Sequence, residues 1–105
     1  MSVDSLLEVL AEPTRRAVVE TLSRQPLRAG ELAKRVGVSP QALSRHLRLL
    51  KSIDLVDGHE SNDDYRVRIY KLRPERLDDL RSWLEEMRSF WADQLVSFHA
   101  EAEKR

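Results

Sequence analysis

Between residues 39 and 52 the chain reads Ser-Pro-Gln-Ala-Leu-Ser-Arg-His-Leu-Arg-Leu-Leu-Lys-Ser. Wound as a helix at about 100° per residue, Leu43, Leu47 and Leu50 share one face. Gln41, Ser44, Arg45 and Arg48 share nearly the opposite one. An amide, a hydroxyl and two guanidinium groups on one narrow face are suited to reading base edges. Arginine bonds guanine bidentately, glutamine bonds adenine, and serine accepts either partner. The N-terminal half of such a helix is the part that approaches the bases. Gln41, Ser44 and Arg45 are therefore the expected base readers. Lys34, Arg35, Pro40, Arg48 and Lys51 flank that face and are expected at the DNA backbone, where phosphate contacts set register. A helix N-terminus also favours a nearby phosphate. His46 lies at the margin of the leucine stripe. It is expected either at the backbone or in a bond that fixes the helix to its neighbour.

Such a helix needs a frame. Val3, Leu6, Leu7 and Leu10 have helical spacing in a short first helix over 3–11. Pro13 suits the first turn of a second helix, whose buried stripe is Ala17, Val18, Thr21 and Leu22. Gln25-Pro26 breaks it. A third helix is predicted from Ala29 to Val36, with Leu32, Ala33 and Val36 inward. Gly37 follows where a left-handed cap is wanted. Ser39 and Pro40 then supply a capping hydroxyl and a first-turn proline for the fourth helix. Two short helices joined by Gly37-Val38-Ser39 match a helix-turn-helix. Beyond Ser52, Leu55-Val56 is short and apolar, Gly58 to Asp64 is turn-like, and Tyr65 to Leu72 alternates as a strand does. These make a hairpin. From Pro74 or Glu75 the chain returns to helix almost to its end.

Charge separates along the chain in the same way. The formal net charge is zero, from 18 basic and 18 acidic residues, yet residues 24–51 hold seven basic residues and one acid. A basic block within an otherwise mildly acidic chain is the footprint of a polyanion-binding surface. The 105 residues suit a single domain over 1–105. With no cysteine, disulfides, thiolate metal sites and thiol chemistry are excluded for this sequence. No apolar run approaches a membrane span, and the first residues lack a signal's basic start, so a cytoplasmic protein without membrane contact is expected. No carboxylate pair, activated nucleophile or glycine-rich phosphate loop is evident, so an enzyme is not expected.

The segments LAEPTRRAVVETLS and GELAKRVGVSPQALSRHLRLLKSIDLV, followed by RIYKL and a long helix holding Trp83-Leu84 and Phe90-Trp91, resemble the ArsR family of winged helix-turn-helix repressors. The likeness spans nearly the whole chain. It implies a mainly α fold with a small β-hairpin and a long C-terminal dimerisation helix over 73–103. It implies a homodimeric repressor reading double-stranded DNA at a palindromic operator. In that family the helix opened by Pro40 enters the major groove, and Gly58 to Lys71 match the wing along the backbone. Arg66 and Arg68 are the wing's expected backbone contacts. Against them stand three acids at the tip, Glu60, Asp63 and Asp64. The family's cysteine metal site has no counterpart in Glu31-Leu32-Ala33-Lys34. In the last helix His99 and Glu103 lack matching partners, so no metal or other cofactor is expected, and the sequence names no effector.

The last helix carries Leu77, Leu80, Leu84, Met87, Trp91, Leu95 and Phe98 at spacings of three or four, with Trp83 and Phe90 on a second line. One line is expected to cover the winged core and the other to meet a second subunit. The expected interface comprises Leu6, Leu7, Leu10, Trp83, Leu84, Met87, Phe90, Trp91, Leu95 and Phe98. The alternative function is a winged-helix module that binds protein through the acidic wing and the aromatic helix.

Overall fold

The computed structural model describes residues 3–103. Helices α1 (Val3–Leu10), α2 (Pro13–Leu22), α3 (Ala29–Val36) and α4 (Pro40–Ser52) surround one apolar core. Strands β1 (Leu27–Arg28), β2 (Val56–Glu60) and β3 (Arg68–Leu72) form an antiparallel sheet in the order β1-β3-β2. A 3₁₀ turn at Pro74–Arg76 leads into α5 (Leu77–Glu103).

Local chemistry sets each boundary. Glu12 caps α2 by accepting from the Arg15 amide at 2.9 Å, and Pro13 takes the first position, where no N–H is needed. Gly37 ends α3 at φ 82°, a conformation that a Cβ disfavours. Two residues later the Ser39 hydroxyl accepts from the Ala42 amide at 3.1 Å and starts α4. The chain leaves α4 through Asp54 at φ 57°. The Leu55 amide then bonds the Leu50 carbonyl at 3.0 Å, which aims Leu55 and Val56 into the core.

Six side chains are essentially sealed from solvent: Leu6, Val18, Leu32, Leu43, Leu50 and Leu55. They come from α1, α2, α3, α4 and the approach to β2, so a single cluster holds the helices and the sheet root together. The predicted inward residues of α2, α3 and α4 lie on the core side. Val18, Leu22, Leu32, Ala33, Leu43, Leu47 and Leu50 are buried, and Ala17, Thr21 and Val36 are partly covered.

Four expectations need correction. The hairpin is joined by a third strand, since Leu27 pairs with Tyr70 and Arg28 with Ile69. The wing's second strand begins at Arg68, not Tyr65, because the Asp64 carboxylate accepts from the Arg66 amide at 3.0 Å and folds that stretch into a turn. The first strand reaches into the presumed turn and pairs Gly58 with Tyr70 and Glu60 with Arg68. Helix α5 differs most. Only Leu77 and Leu80 pack on the core; every residue from Arg81 to Glu103 is exposed. Neither apolar line covers the winged core beyond that first turn. At about 1.5 Å per residue the helix runs roughly 40 Å, which accounts for a long axis of 71 Å. Among the described residues no helix is long and apolar enough to cross a membrane.

Leu50 touches the core from the last turn of α4 and has no exposed surface. Leu50→Ala is expected to cost about 2–5 kcal/mol in chemical denaturation, with the cavity left behind adding to the lost transfer energy.

Candidate nucleic-acid interface

Helix α4 presents the predicted face. Gln41, Ser44, Arg45 and Arg48 are exposed, while Leu43, Leu47 and Leu50 on the opposite side are buried. Pro40 and Lys51 are exposed at its two ends. Ser44, Arg48 and Lys51 line a cleft of about 270 Å³ together with Leu47 and Tyr70 of β3. The Lys51 ammonium lies 5.8 Å from the centre of the Tyr70 ring, within cation–π range. The recognition face and the wing root thus meet at Tyr70. The sequence reading missed this residue because strand alternation gave no sign that its ring would face α4.

A second cleft, of about 480 Å³, lies between the wing and the start of α3. Arg28, Lys34, Arg66 and Arg68 all border it. Arg28 was not among the expected contacts. It sits on a two-residue strand, too short for any periodic pattern to reveal.

Several predicted contacts are engaged within the chain. Arg35 pairs with Glu31 one turn earlier at 3.1 Å. Arg66 pairs with Asp64, with its Nε 3.2 Å from one carboxylate oxygen. The Arg68 guanidinium donates to the Gly58 carbonyl at 3.3 Å. Asp64 is held below the ordinary aspartate range, first by the Arg66 amide, then by the Arg66 guanidinium, with Arg28 adding to the field.

His46 turns inward, not toward the outer face. Its Nδ1 is buried without a hydrogen bond and lies 4.0 Å from the Glu12 carboxylate at the start of α2. His46 thus lies between two helices, beside Glu12, but no hydrogen bond of its Nδ1 fixes it there. Glu12 is held below the ordinary glutamate range, chiefly by the Arg15 amide, with a smaller contribution from His46. The Arg15 guanidinium in turn donates to the Val9 carbonyl at 2.6 Å. One small polar cluster therefore ties the end of α1, the start of α2 and the middle of α4.

The expected dimer residues divide in two. Leu6 is fully buried within one chain and has no surface for a partner, and Leu10 packs partly against the same core. Leu7, Trp83, Leu84, Met87, Phe90, Trp91, Leu95 and Phe98 are all exposed.

Comparison with known proteins agrees with this arrangement. A helix-turn-helix domain model matches residues 10–59, from the end of α1 through the first strand of the wing. An HTH-type transcriptional regulator of Mycobacterium tuberculosis is 39% identical over 97 residues, covering 92% of this chain and 85% of that protein. The transcriptional repressor SdpR of Bacillus subtilis is 24% identical over 82 residues, covering 78% of this chain and 88% of that protein. A crystal structure of an ArsR family transcriptional regulator superposes with a TM-score of 0.75 at 30% identity, over 86% of this chain and 96% of that one. The chain belongs to the ArsR family. It is a DNA-binding transcriptional regulator with a winged helix-turn-helix.

This ArsR protein carries no cysteine. Among the described residues no three His, Asp or Glu side chains converge as a metal site would require. In α5 the His99 ring meets the edge of Phe98, with ring centres 6.4 Å apart.

Because the Glu12 carboxylate titrates below its unfolded value, its contribution to stability is present above about pH 4.3 and is lost as pH falls through the lower folded value. Glu12→Gln keeps an oxygen to cap α2 but cannot ionise. Its melting temperature should therefore depend less on pH than that of the wild type in scans from pH 6 down to pH 3.

Proposed function

We propose that this protein is a homodimeric repressor that reads a palindromic operator by inserting α4 into successive major grooves. The observation that carries the reading is the division of α4 into a buried leucine face and an exposed face of Gln41, Ser44, Arg45 and Arg48. Gln41, Ser44 and Arg45 lie in the half of the helix nearest Pro40 and serve as base readers. Lys34, Arg48 and Lys51 supply backbone contacts that fix register without reading sequence. Pro40 brings the start of the helix, the positive end of its dipole, toward the same backbone. Arg35 contributes less, since Glu31 already neutralises it.

The dimer is supported by α5. Its leucine, methionine and aromatic residues span an arc of roughly 140° at about 100° per residue, from Phe90 and Trp83 at one edge to Leu95 at the other. Trp91 is 63% exposed and Phe98 68% exposed. A contiguous aromatic stripe this bare is uncommon on a monomer and marks an interaction surface. The stripe fits a second copy, with Leu7 of α1 as its neighbour. Residues 73–103 thus form the dimerisation element of a single winged domain over 1–105. Two-fold pairing places two recognition helices about one DNA turn apart, roughly 34 Å, and matches an inverted repeat. Repression is the sense suggested by the related SdpR, and the work is done in the cytoplasm.

Selection of bound sites from random duplex DNA tests the function. An inverted repeat with half-sites one turn apart is expected. Absence of any enriched site, with no shift at low salt, would turn the reading toward a protein-binding winged module. Arg45→Ala should weaken the selected operator by about 1–3 kcal/mol and relax preference at one position per half-site, measured by competition with single-base variants. Trp91→Ala combined with Met87→Ala should halve the mass seen by light scattering. An unchanged dimer mass would place the contact elsewhere.

A further inference from the structure

We propose that Tyr70 is a positioning residue for DNA binding: its ring holds the Lys51 ammonium beside Arg48, so that both cations meet the DNA backbone already in place. The proposal rests on the DNA-reading function above. It gives the wing no contact of its own with DNA; a side chain of the sheet acts through a charge on α4.

Lys51 has a flexible four-carbon stem, which loses much rotamer freedom when its end is held on a phosphate. It also stands three residues after Arg48, a spacing at which like charges on a helix repel. Left to itself, the ammonium would swing away from Arg48 into water. Among the described residues Lys51 has no ion pair with a carboxylate. Its partner is the Tyr70 ring, with the ammonium over the face and 5.8 Å from the centre. That face is negative through the ring quadrupole and attracts a cation while the ring itself stays uncharged. The contrast with two neighbouring arginines is chemical. Arg35 and Arg66 are held by Glu31 and Asp64, and each pair is neutral. Lys51 is held by a neutral group and keeps its whole charge for a phosphate.

The fold makes this ring a fixed wall. Tyr70 lies in β3, the middle strand, and pairs with Leu27 on one side and Gly58 on the other. Its side chain packs partly against the core. The ring closes a cleft of about 270 Å³ whose other lining residues, Ser44, Leu47, Arg48 and Lys51, all come from α4. A residue anchored in the sheet therefore sets where the last cation of the recognition face stands.

The test is operator affinity of the full chain at fixed salt, read as a double-mutant cycle. Tyr70→Leu removes the aromatic face and should weaken binding about two- to fivefold per subunit, the equivalent of an exposed cation–π contact. Tyr70→Phe keeps the face and should bind as the wild type does. In a Lys51→Ala background Tyr70→Leu should cost nothing further, whereas a purely structural role would cost the same in both backgrounds. In the free protein the ring current should move the Lys51 ε-methylene protons upfield of those of the other lysines, and Tyr70→Leu should abolish the displacement. Equal losses in the two backgrounds overturn the proposal, as does a Tyr70→Phe variant that binds as weakly as Tyr70→Leu. Should Tyr70→Leu not fold, the wild-type spectrum and Tyr70→Phe decide: Lys51 protons at the position of the other lysines overturn the proposal. A wild-type chain that binds no duplex sinks the DNA-reading function and the positioning role with it, while displaced Lys51 protons would show the ring contact itself intact.

Discussion

The burial of three leucines on one side of α4 is the constraint on which the rest depends. Leu43, Leu47 and Leu50 recur at helical spacing and are sealed into the core. A helix pinned along one stripe cannot roll. Its opposite stripe is then fixed in space, and the Ser39 hydroxyl and Gly37 fix where the helix begins and how the chain enters it. The proposed base reading needs no pocket or strained geometry. It needs a rigid rod with the correct side outward, and apolar burial of about 1.5–3 kcal/mol per leucine provides that rigidity.

Around this rod the chain uses charge economically. Arg35, Arg66 and Arg73 each have a carboxylate within 3.2 Å. Arg28, Arg45 and Arg48 have no side-chain ion pair of that kind among the described residues. Exposed ion pairs add little to stability. Their effect here is to leave the arginines of α4 and Arg28 as the ones without a close carboxylate. A chain of zero formal charge can therefore still present a cationic surface to a polyanion.

The helical part of the fold is legible in the sequence because its signals are local. Pro13, the caps at Ser39 and Gly37 and the leucine periodicity of α4 act within a few residues. What escaped is what only long-range contact creates. Strand β1 is two residues long and exists because β3 lies beside it. His46 and Glu12 are 34 positions apart in sequence, and only the packing of α4 on α2 brings them together. The α1 leucines could not be sorted from spacing alone: Leu6 and Leu7 are adjacent, yet one is sealed and the other is 42% exposed. In α5 the heptad-like pattern correctly marks an apolar stripe, but a pattern does not say whether its partner lies in the same chain.

Gly58 has a consequence that reaches beyond the wing. A methyl group at this position would come within 2.8 Å of the Tyr70 ring, closer than side-chain carbons are ever found. That ring also forms a wall of the cleft that Ser44 and Arg48 share, with the Lys51 ammonium over it. Any bulk at position 58 must displace the phenol ring. A surface hairpin thus has one position where any side chain makes the neighbouring ring give way, and a change there would be felt at α4.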